Sequence, residues 1–347
     1  MSSLLTLVTG ANGFVGSAVT RALARHGERV RVLLRPGADD RNLSGLDVER
    51  VYGDVTDPDS VRRAIAGCAR IYHVAARYSL RSREARELYR CNVIGTRNVL
   101  ELAREAEVER AVYTSSVGVL GRPADRPGDE DSPVTLADMV GHYKHSKFLA
   151  EQEAIAQQAR GLRLVTVYPS TPIGQGDVKP TPTGQVIVDF LKGRIPAYLD
   201  TGLNYVSVED VAEGHLLAME RGQHGGRYIL GCRNLAFREF LALVADLTGR
   251  RAPEWRIPYP LAWLAGAGSE TWSRVTGRPP TAPLDGVRMA RKSMYFDASR
   301  AVRELGLPQT PIEHAIEQAV RWFVDHGYLE RGTLLGEPSP ARMGDPS

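Results

Sequence analysis

The 347-residue chain holds only three cysteines, Cys68, Cys91 and Cys232. They are widely spaced, which argues against a disulfide framework or a thiolate metal site and suits small buried side chains in a reducing compartment. No apolar stretch is long enough to span a bilayer. The N-terminus lacks a cationic region, and the short apolar run from Leu4 to Val8 passes straight into glycines, so it reads as a strand and not a leader. The formal net charge is +3 without any block of like charge, so no nucleic-acid partner is expected. Neither a metal nor an internal repeat is indicated. The tail, 331–347, turns to Gly, Pro, Ser and charge without periodicity and is expected to be disordered. These absences leave a cytoplasmic enzyme or binding protein of ordinary composition.

What is present is an alternation of short β-branched runs with helical patterns. Strands are predicted at Leu4–Thr9, Val30–Leu34, Glu49–Tyr52, Arg70–Val74, Ala111–Ser115, Leu162–Val167 and Arg227–Leu230. Helices are predicted at Gly13–His26, Pro58–Ala66, Leu88–Ala106, Tyr143–Ala159 and Val211–Glu220. Asp57-Pro58 forms an N-cap with proline at the first helical position, and Gly27 suits a left-handed C-cap. Pro169–Gly176 and Lys179–Gly184 read as loops. The expected fold class is α/β: a doubly wound parallel Rossmann sheet with a smaller, mostly helical C-terminal lobe. Residues 1–175 and 205–235 are assigned to the dinucleotide-binding part, 176–204 and 236–330 to a substrate lobe, with the ligand cleft between them.

Directly after the first strand comes Gly10-Ala11-Asn12-Gly13-Phe14-Val15-Gly16. Glycines here permit a tight turn and let backbone approach a pyrophosphate at a helix N-terminus, which makes Gly10, Asn12, Gly13, Phe14, Val15 and Gly16 candidate cofactor residues. An acid at the end of the second strand would accept from the ribose of NAD, and Leu34-Arg35-Pro36 has none. Arg35 offers charge-assisted bonds to a 2′-phosphate instead, with Arg41 as a helper, so NADP is the expected cofactor and NAD the alternative. A solvated surface Arg35 is the competing reading. Asp54, with Val55, lies after the third strand, where it would accept from the adenine amino group or simply cap a turn. Small Ala75 and Ala76 follow the fourth strand and leave room for a cofactor sugar.

Tyr143-Lys144-His145-Ser146-Lys147 opens a long helix, and the separation of four puts Tyr143 and Lys147 on one face. A phenol with an ordinary pKa of ~10 is a poor acid-base catalyst at neutral pH, and a nearby ammonium draws that value down. Thr114-Ser115-Ser116 ends the fifth strand, where Ser116 would donate to a substrate carbonyl oxygen while Tyr143 supplies the proton. Ser115 is the alternative, since adjacent strand residues point to opposite faces. Asn92 either orders a helix or a water near Lys147 or is purely structural.

With these motifs in place, the chain resembles the extended short-chain dehydrogenases/reductases of the NAD-dependent epimerase/dehydratase superfamily from Leu4 to about Leu329. Gly10, Gly13 and Gly16 match that group's TGxxGxxG loop. Within it the chain is similar to dihydroflavonol-reductase-like proteins, and specifically to bacterial proteins labelled hopanoid-associated sugar epimerase. Gly141-His142-Tyr143, Pro169-Ser170-Thr171-Pro172, Gly176 to Gly184 and Gly286 to Lys292 carry that likeness. The resemblance implies a catalytic set of Ser116, Tyr143 and Lys147. It also implies that Pro169, Ser170 and Thr171 lie against the nicotinamide, and that a homodimer forms through the Leu88–Ala106 and Tyr143–Ala159 helices.

The chain departs from the nucleotide-sugar epimerases of that superfamily where they hold a diphosphate with arginines. Leu203-Asn204-Tyr205 lacks the first of these, and Ala290-Arg291-Lys292-Ser293 replaces an Arg-x-Gly-Asp pattern. Losing a planar bidentate donor favours a carbonyl reductase or alcohol dehydrogenase over an epimerase. A non-catalytic NADP sensor is a remote third reading. Trp255 to Leu264 and Trp272 suit an apolar or lipid-linked substrate, or peripheral contact with a bilayer, although filling the lobe's own core would explain them equally well.

Overall fold

The computed structural model describes residues 4–79, 82–276, 287–288 and 290–330. The 331–347 tail, Gly286 and Met289 of the matched passage, and the Trp272 side chain lie outside what is described.

The first part of the chain forms β1 (Leu5–Thr9), α1 (Phe14–Arg25), β2 (Arg29–Leu34), β3 (Glu49–Tyr52), α2 (Pro58–Ile65) and β4 (Arg70–His73). It continues through α3 (Ala85–Tyr89), α4 (Gly95–Glu105), β5 (Arg110–Thr114), α5 (Gly141–Ala159) and β6 (Leu164–Pro169). Then come β7 (Thr171–Ile173), α6 (Pro182–Leu191), β8 (Ala197–Tyr198), β9 (Gly202–Ser207), α7 (Val208–Arg221) and β10 (Arg227–Leu230). The last described elements are β11 (Arg233–Ala236), α8 (Phe237–Thr248), β12 (Trp255–Arg256), α9 (Tyr259–Thr276), α10 (Ser299–Leu305) and α11 (Ile312–Asp325).

Seven strands make one parallel sheet in the order β10-β6-β5-β4-β1-β2-β3. The order reverses direction between β1 and β4, and a ligand crevice belongs at the carboxyl ends of strands flanking such a switch. Apolar residues cover both faces, as an all-parallel sheet requires. One face packs Val19, Leu23, Val167 and Leu216 with α1 and α7, and the other packs Leu7, Ile71, Leu100 and Ala150 with α2, α4 and α5. A fully buried leucine of this kind contributes about 1.5–3 kcal/mol. A third core, with Tyr205, Phe240, Ile316 and Phe323, belongs to the smaller lobe. That lobe is helical but also contains a three-stranded sheet, β11-β9-β7, and the pair β12-β8.

Asp57 caps α2 through bonds from the Asp59 and Ser60 amides, with Pro58 behind it, and Gly27 has φ +74°, both as expected. Three expectations are corrected. The Pro169–Gly176 stretch is not all loop: Thr171–Ile173 pairs with Tyr205–Ser207 as an edge strand, where Pro172 needs no amide donor on its open side. In Lys179–Gly184 the helix begins at Pro182, because Thr181 accepts from the Gly184 amide at 3.2 Å and caps it. The single helix expected over Leu88–Ala106 is interrupted by a π-helical turn at Arg90–Ile94. Asn92 sits in that turn, and Gly95, just after it, closes on Val55 so tightly that a Cβ would lie 2.7 Å from a valine methyl.

Candidate active site

The glycine loop leaves β1 with Gly10 at φ +72°, where a Cβ would lie 2.6 Å from the Ala75 Cα. A Cβ on Gly16 would run into the Gly10 carbonyl. Only glycine fits either position. The Gly13 amide donates to Gly10 O at 3.0 Å and starts α1 without a side-chain cap, so the first-turn amides of Phe14, Val15 and Gly16 are presented as an anion-binding end. Asn12 Nδ2 donates to Asp39 O at 2.9 Å, and Asn42 bridges from this loop to Gly176 O at 2.9 Å.

Arg35 is exposed just past β2 and makes no ion pair among the described residues. Asp39 holds the Arg41 guanidinium at 2.7 Å, and that pairing draws Asp39 down to about 2. Sequence distance hid Asp39, which lies beyond the position where a ribose-binding acid was sought. Asp54 accepts from the Thr56 amide at 2.8 Å, so its carboxylate shapes the turn. Val55 O is bonded by Asn98 at 3.0 Å. The Ala75 amide donates to Thr9 Oγ1 at 3.3 Å, and Ala76 is exposed beside it.

Beneath this edge lies a polar chain that sequence patterns did not reveal. His73 bonds Thr9 Oγ1 at 2.7 Å and Thr96 Oγ1 at 3.0 Å. Burial, with Lys147 adding to it, lowers its pKa to about 3, so the ring is neutral. It stacks on Tyr113 at 5.8 Å, and Lys147 Nζ lies 5.0 Å from the centre of the Tyr113 ring.

Ser116, Tyr143 and Lys147 converge. Lys147 Nζ donates to Thr114 O at 2.8 Å, two residues before Ser116. Desolvation lowers Lys147 to about 8, and Glu151, one helical turn on, opposes the shift. Burial pushes the Tyr143 phenol up, while a hydrogen bond from Ser116 pulls it back. Ser115 faces the other way and donates to Glu151 Oε2 at 2.6 Å. Glu151 also accepts from Tyr168 OH at 2.8 Å and meets Arg227 at 3.5 Å. Its spacing of four from Lys147 was a readable signal. Asn92 does not touch Lys147: it bonds Ser146 Oγ at 2.9 Å and both backbone groups of Arg77, tying α5 to the strand-end loop. Tyr78, also missed, sets its ring edge on Tyr143 at 4.6 Å.

Pro169 pairs with Leu230 at the end of β6. Ser170 Oγ is buried with no hydrogen-bond partner among the described residues, and Thr171 begins β7. Phosphate-sized grip is absent on β9, where Asn204 is buried and spends its side chain on Asn234 Oδ1 at 2.9 Å and Phe296 O at 3.2 Å.

The sequence profile of the NAD dependent epimerase/dehydratase family matches residues 6–231. The chain belongs to that family. It is similar to a Synechocystis protein provisionally named dihydroflavonol 4-reductase, 45% identical, with 93% of this chain and 95% of the relative covered. It is also similar to sterol demethylase protein B of Methylococcus capsulatus, 35% identical over 94% of this chain and 100% of that one. Among solved structures, a nucleoside-diphosphate-sugar epimerase from Pseudomonas aeruginosa superposes with a TM-score of 0.78 at 25% identity, covering 94% of this chain and 99% of that one. As a family member this chain is an NAD(P)-dependent enzyme with a Rossmann sheet. Among the described residues no helix is long and apolar enough to cross a membrane.

Proposed function

We propose that this chain is an NADP-dependent carbonyl reductase or alcohol dehydrogenase. Its substrate is a largely apolar polyol or sugar, lipid-linked and of the hopanoid type, met in the cytoplasm by a homodimer built on α4 and α5. The observation that carries redox chemistry over epimerisation is Asn204. It lies in the Leu203-Asn204-Tyr205 segment, in the region where the epimerases carry a phosphate-gripping arginine, and is locked into the lobe's own hydrogen bonds. The names of the two relatives, a reductase and a sterol demethylase protein, point the same way.

The residues present fit the dinucleotide. Gly10 and Gly16 have no space for a Cβ, the α1 end is uncapped, and Ser170 Oγ is an orphaned polar atom on the segment assigned to the nicotinamide. Gly10, Asn12, Gly13, Phe14, Val15 and Gly16 would hold the pyrophosphate, and Arg35 would hold the 2′-phosphate. Asp54 and Val55 would serve the adenine, Ala75 and Ala76 the sugar, and Pro169, Ser170 and Thr171 the nicotinamide. When bound, the cofactor supplies or takes up a hydride.

Tyr143 passes the accompanying proton to the carbonyl oxygen, or takes it back from the hydroxyl. Ser116 Oγ fixes that oxygen. Burial raises the phenol and the Ser116 hydrogen bond draws it back, while the bond of Lys147 to Thr114 O fixes where the ammonium sits, one helical turn from Tyr143. His73 and Tyr113 pack under the lysine as neutral groups. The apolar character of the substrate is supported by α9 and its approach, where Trp255, Leu261 and Leu264 are 79%, 58% and 59% exposed. The core-filling alternative does not describe these residues. Exposed aromatics and leucines suit peripheral contact with a bilayer.

Calorimetry and turnover of the NADPH-loaded protein test the reading. Apolar sugar or sterol-like carbonyls should bind and be reduced as NADPH is oxidised, and UDP- and GDP-sugars should not bind. Micromolar binding of a nucleotide sugar with epimer formation would overturn it.

A further inference from the structure

Two cations beside the site, one buried and one partly buried, have no carboxylate partner among the described residues. Lys144, next to Tyr143 in sequence, is 5% exposed, and its ammonium has only Met294 Sδ, at 3.9 Å. Arg122, partly buried beyond the loop that carries Ser116, donates to the Lys292 carbonyl at 3.2 Å. Neither has a carboxylate partner among the described residues. Desolvation and the facing Arg122 together lower Lys144 to about 8, and desolvation also lowers Arg122. The position makes matters worse. Lys144 lies in the first turn of α5, whose N-cap, Val140, supplies no side-chain acceptor and whose first turn has no acid. A helix N-terminus carries partial positive charge and disfavours a cation. Buried charges are ordinarily paired, and here three positive features meet unbalanced.

They meet next to the chemistry. Gly118 keeps the space open: a Cβ there would lie 3.2 Å from Ser116 Oγ and 3.6 Å from Lys144 Cε. The lysine shaft and the serine that bonds Tyr143 therefore border one spot.

The geometry points to an anion subsite in which Lys144, Arg122 and the N-terminal end of α5 receive an acidic group, carboxylate or phosphate, borne by the substrate near its reacting carbon. The inference rests on the redox reading above and narrows it, to an apolar body with an acid close to the carbonyl or hydroxyl. Arg122 supplies a planar two-pronged donor and Lys144 a point charge, the usual division of labour around an oxyanion. Neither is one of the diphosphate-binding positions that Asn204 and Ala290–Ser293 replace.

The test uses the full chain saturated with NADP, so that added phosphate does not act at the dinucleotide site. Inorganic phosphate should raise the melting temperature of the native protein. Lys144→Met should melt higher than the native protein in phosphate-free, low-salt buffer, because an unbalanced buried charge is gone, and should lose most of the phosphate response. Arg122→Gln should weaken the response as well. A second arm, run with NADPH in place of NADP, compares an apolar keto acid with its methyl ester. The native protein should prefer the acid by at least tenfold in kcat/KM, and Lys144→Met should lose that preference through KM. Equal phosphate responses in the native and variant proteins, or none in the native protein, overturn the subsite. If neither acid nor ester is turned over, the redox reading fails while the phosphate response still decides the subsite. Turnover of the ester without a phosphate response leaves the redox reading standing and removes the subsite.

Discussion

At the carboxyl edge of the large sheet, each side chain near the site comes from a turn defined by its own neighbours. Gly10 follows β1, Ser116 follows β5, and Tyr143 with Lys147 opens α5. The smaller lobe is assembled differently. Asn234 reaches the Phe296 carbonyl across 62 residues, and Asn204 reaches the same oxygen across 92. Met294 closes the inner edge through its amide on Gly202 O at 2.7 Å. The contrast separates two kinds of specification. The residues proposed to move the proton lie in short motifs, although long-range bonds such as Asn92 to Ser146 brace them, whereas the lobe is held by contacts that no local pattern reveals.

Tyr143→Phe should break the comparison most sharply. It removes the hydroxyl proposed to pass the proton while leaving both lobes packed, so turnover should fall by about 10²–10⁴-fold, with little change in melting temperature or NADPH affinity. Steady-state rates beside a cofactor titration measure both, and near-native turnover would refute the role given to the phenol.

Arg35→Asp should act only at the cofactor end. NADPH should bind the native protein more tightly than NADH, and the variant should narrow or reverse that order by roughly tenfold, the value of one charge-assisted contact of about 1.5 kcal/mol. Titrations showing NADH tighter in the native protein would disprove the assignment.

Asn204→Ala sharpens the other half. Phe296 O keeps the Asn234 bond, but Asn234 Oδ1 loses a donor, so unfolding should become easier by about 1–3 kcal/mol. NADPH affinity should be unchanged. A chemical-denaturation midpoint that does not move would show that the triad of Asn204, Asn234 and Phe296 does not hold the lobe.

A pH titration of stability probes the buried polar chain within the large sheet. His73 has its folded pKa lowered to about 3 from 6.5. A histidine buried as the neutral form contributes stability that is complete above 6.5 and is lost as pH falls toward 3, because the unfolded chain takes up the proton first. His73→Gln should flatten that decline. Identical acid profiles for the native protein and the variant would mean that His73 is not the group responsible.

Much of the large-sheet half was legible because glycine spacing, a Y-x-x-x-K pair and a strand-end serine each have a local physical meaning. The Ser115 or Ser116 ambiguity was not legible. It depends on which residue faces Glu151, and the structure turns Ser115 there. The proline-rich stretches misled because the features of a loop also describe an edge strand at Pro172 and a capped helix start at Thr181-Pro182. His73, Tyr113 and the pairing of Arg41 with Asp39 escaped for a different reason: burial and partners decide their roles, and sequence carries neither. Lys144 sat inside the recognised motif, but only its lack of a counter-ion sets it apart from any surface lysine.

The most direct test of the redox account follows the hydride itself. The full-length protein is incubated with NADPH deuterated at the transferred position and with an apolar keto acid, and the product is examined by mass spectrometry and NMR. The account predicts one deuterium on the new carbinol carbon for each NADP formed. Contradiction would be an epimerised product from a nucleotide sugar, with no net oxidation of the cofactor and no reduction of the keto acid.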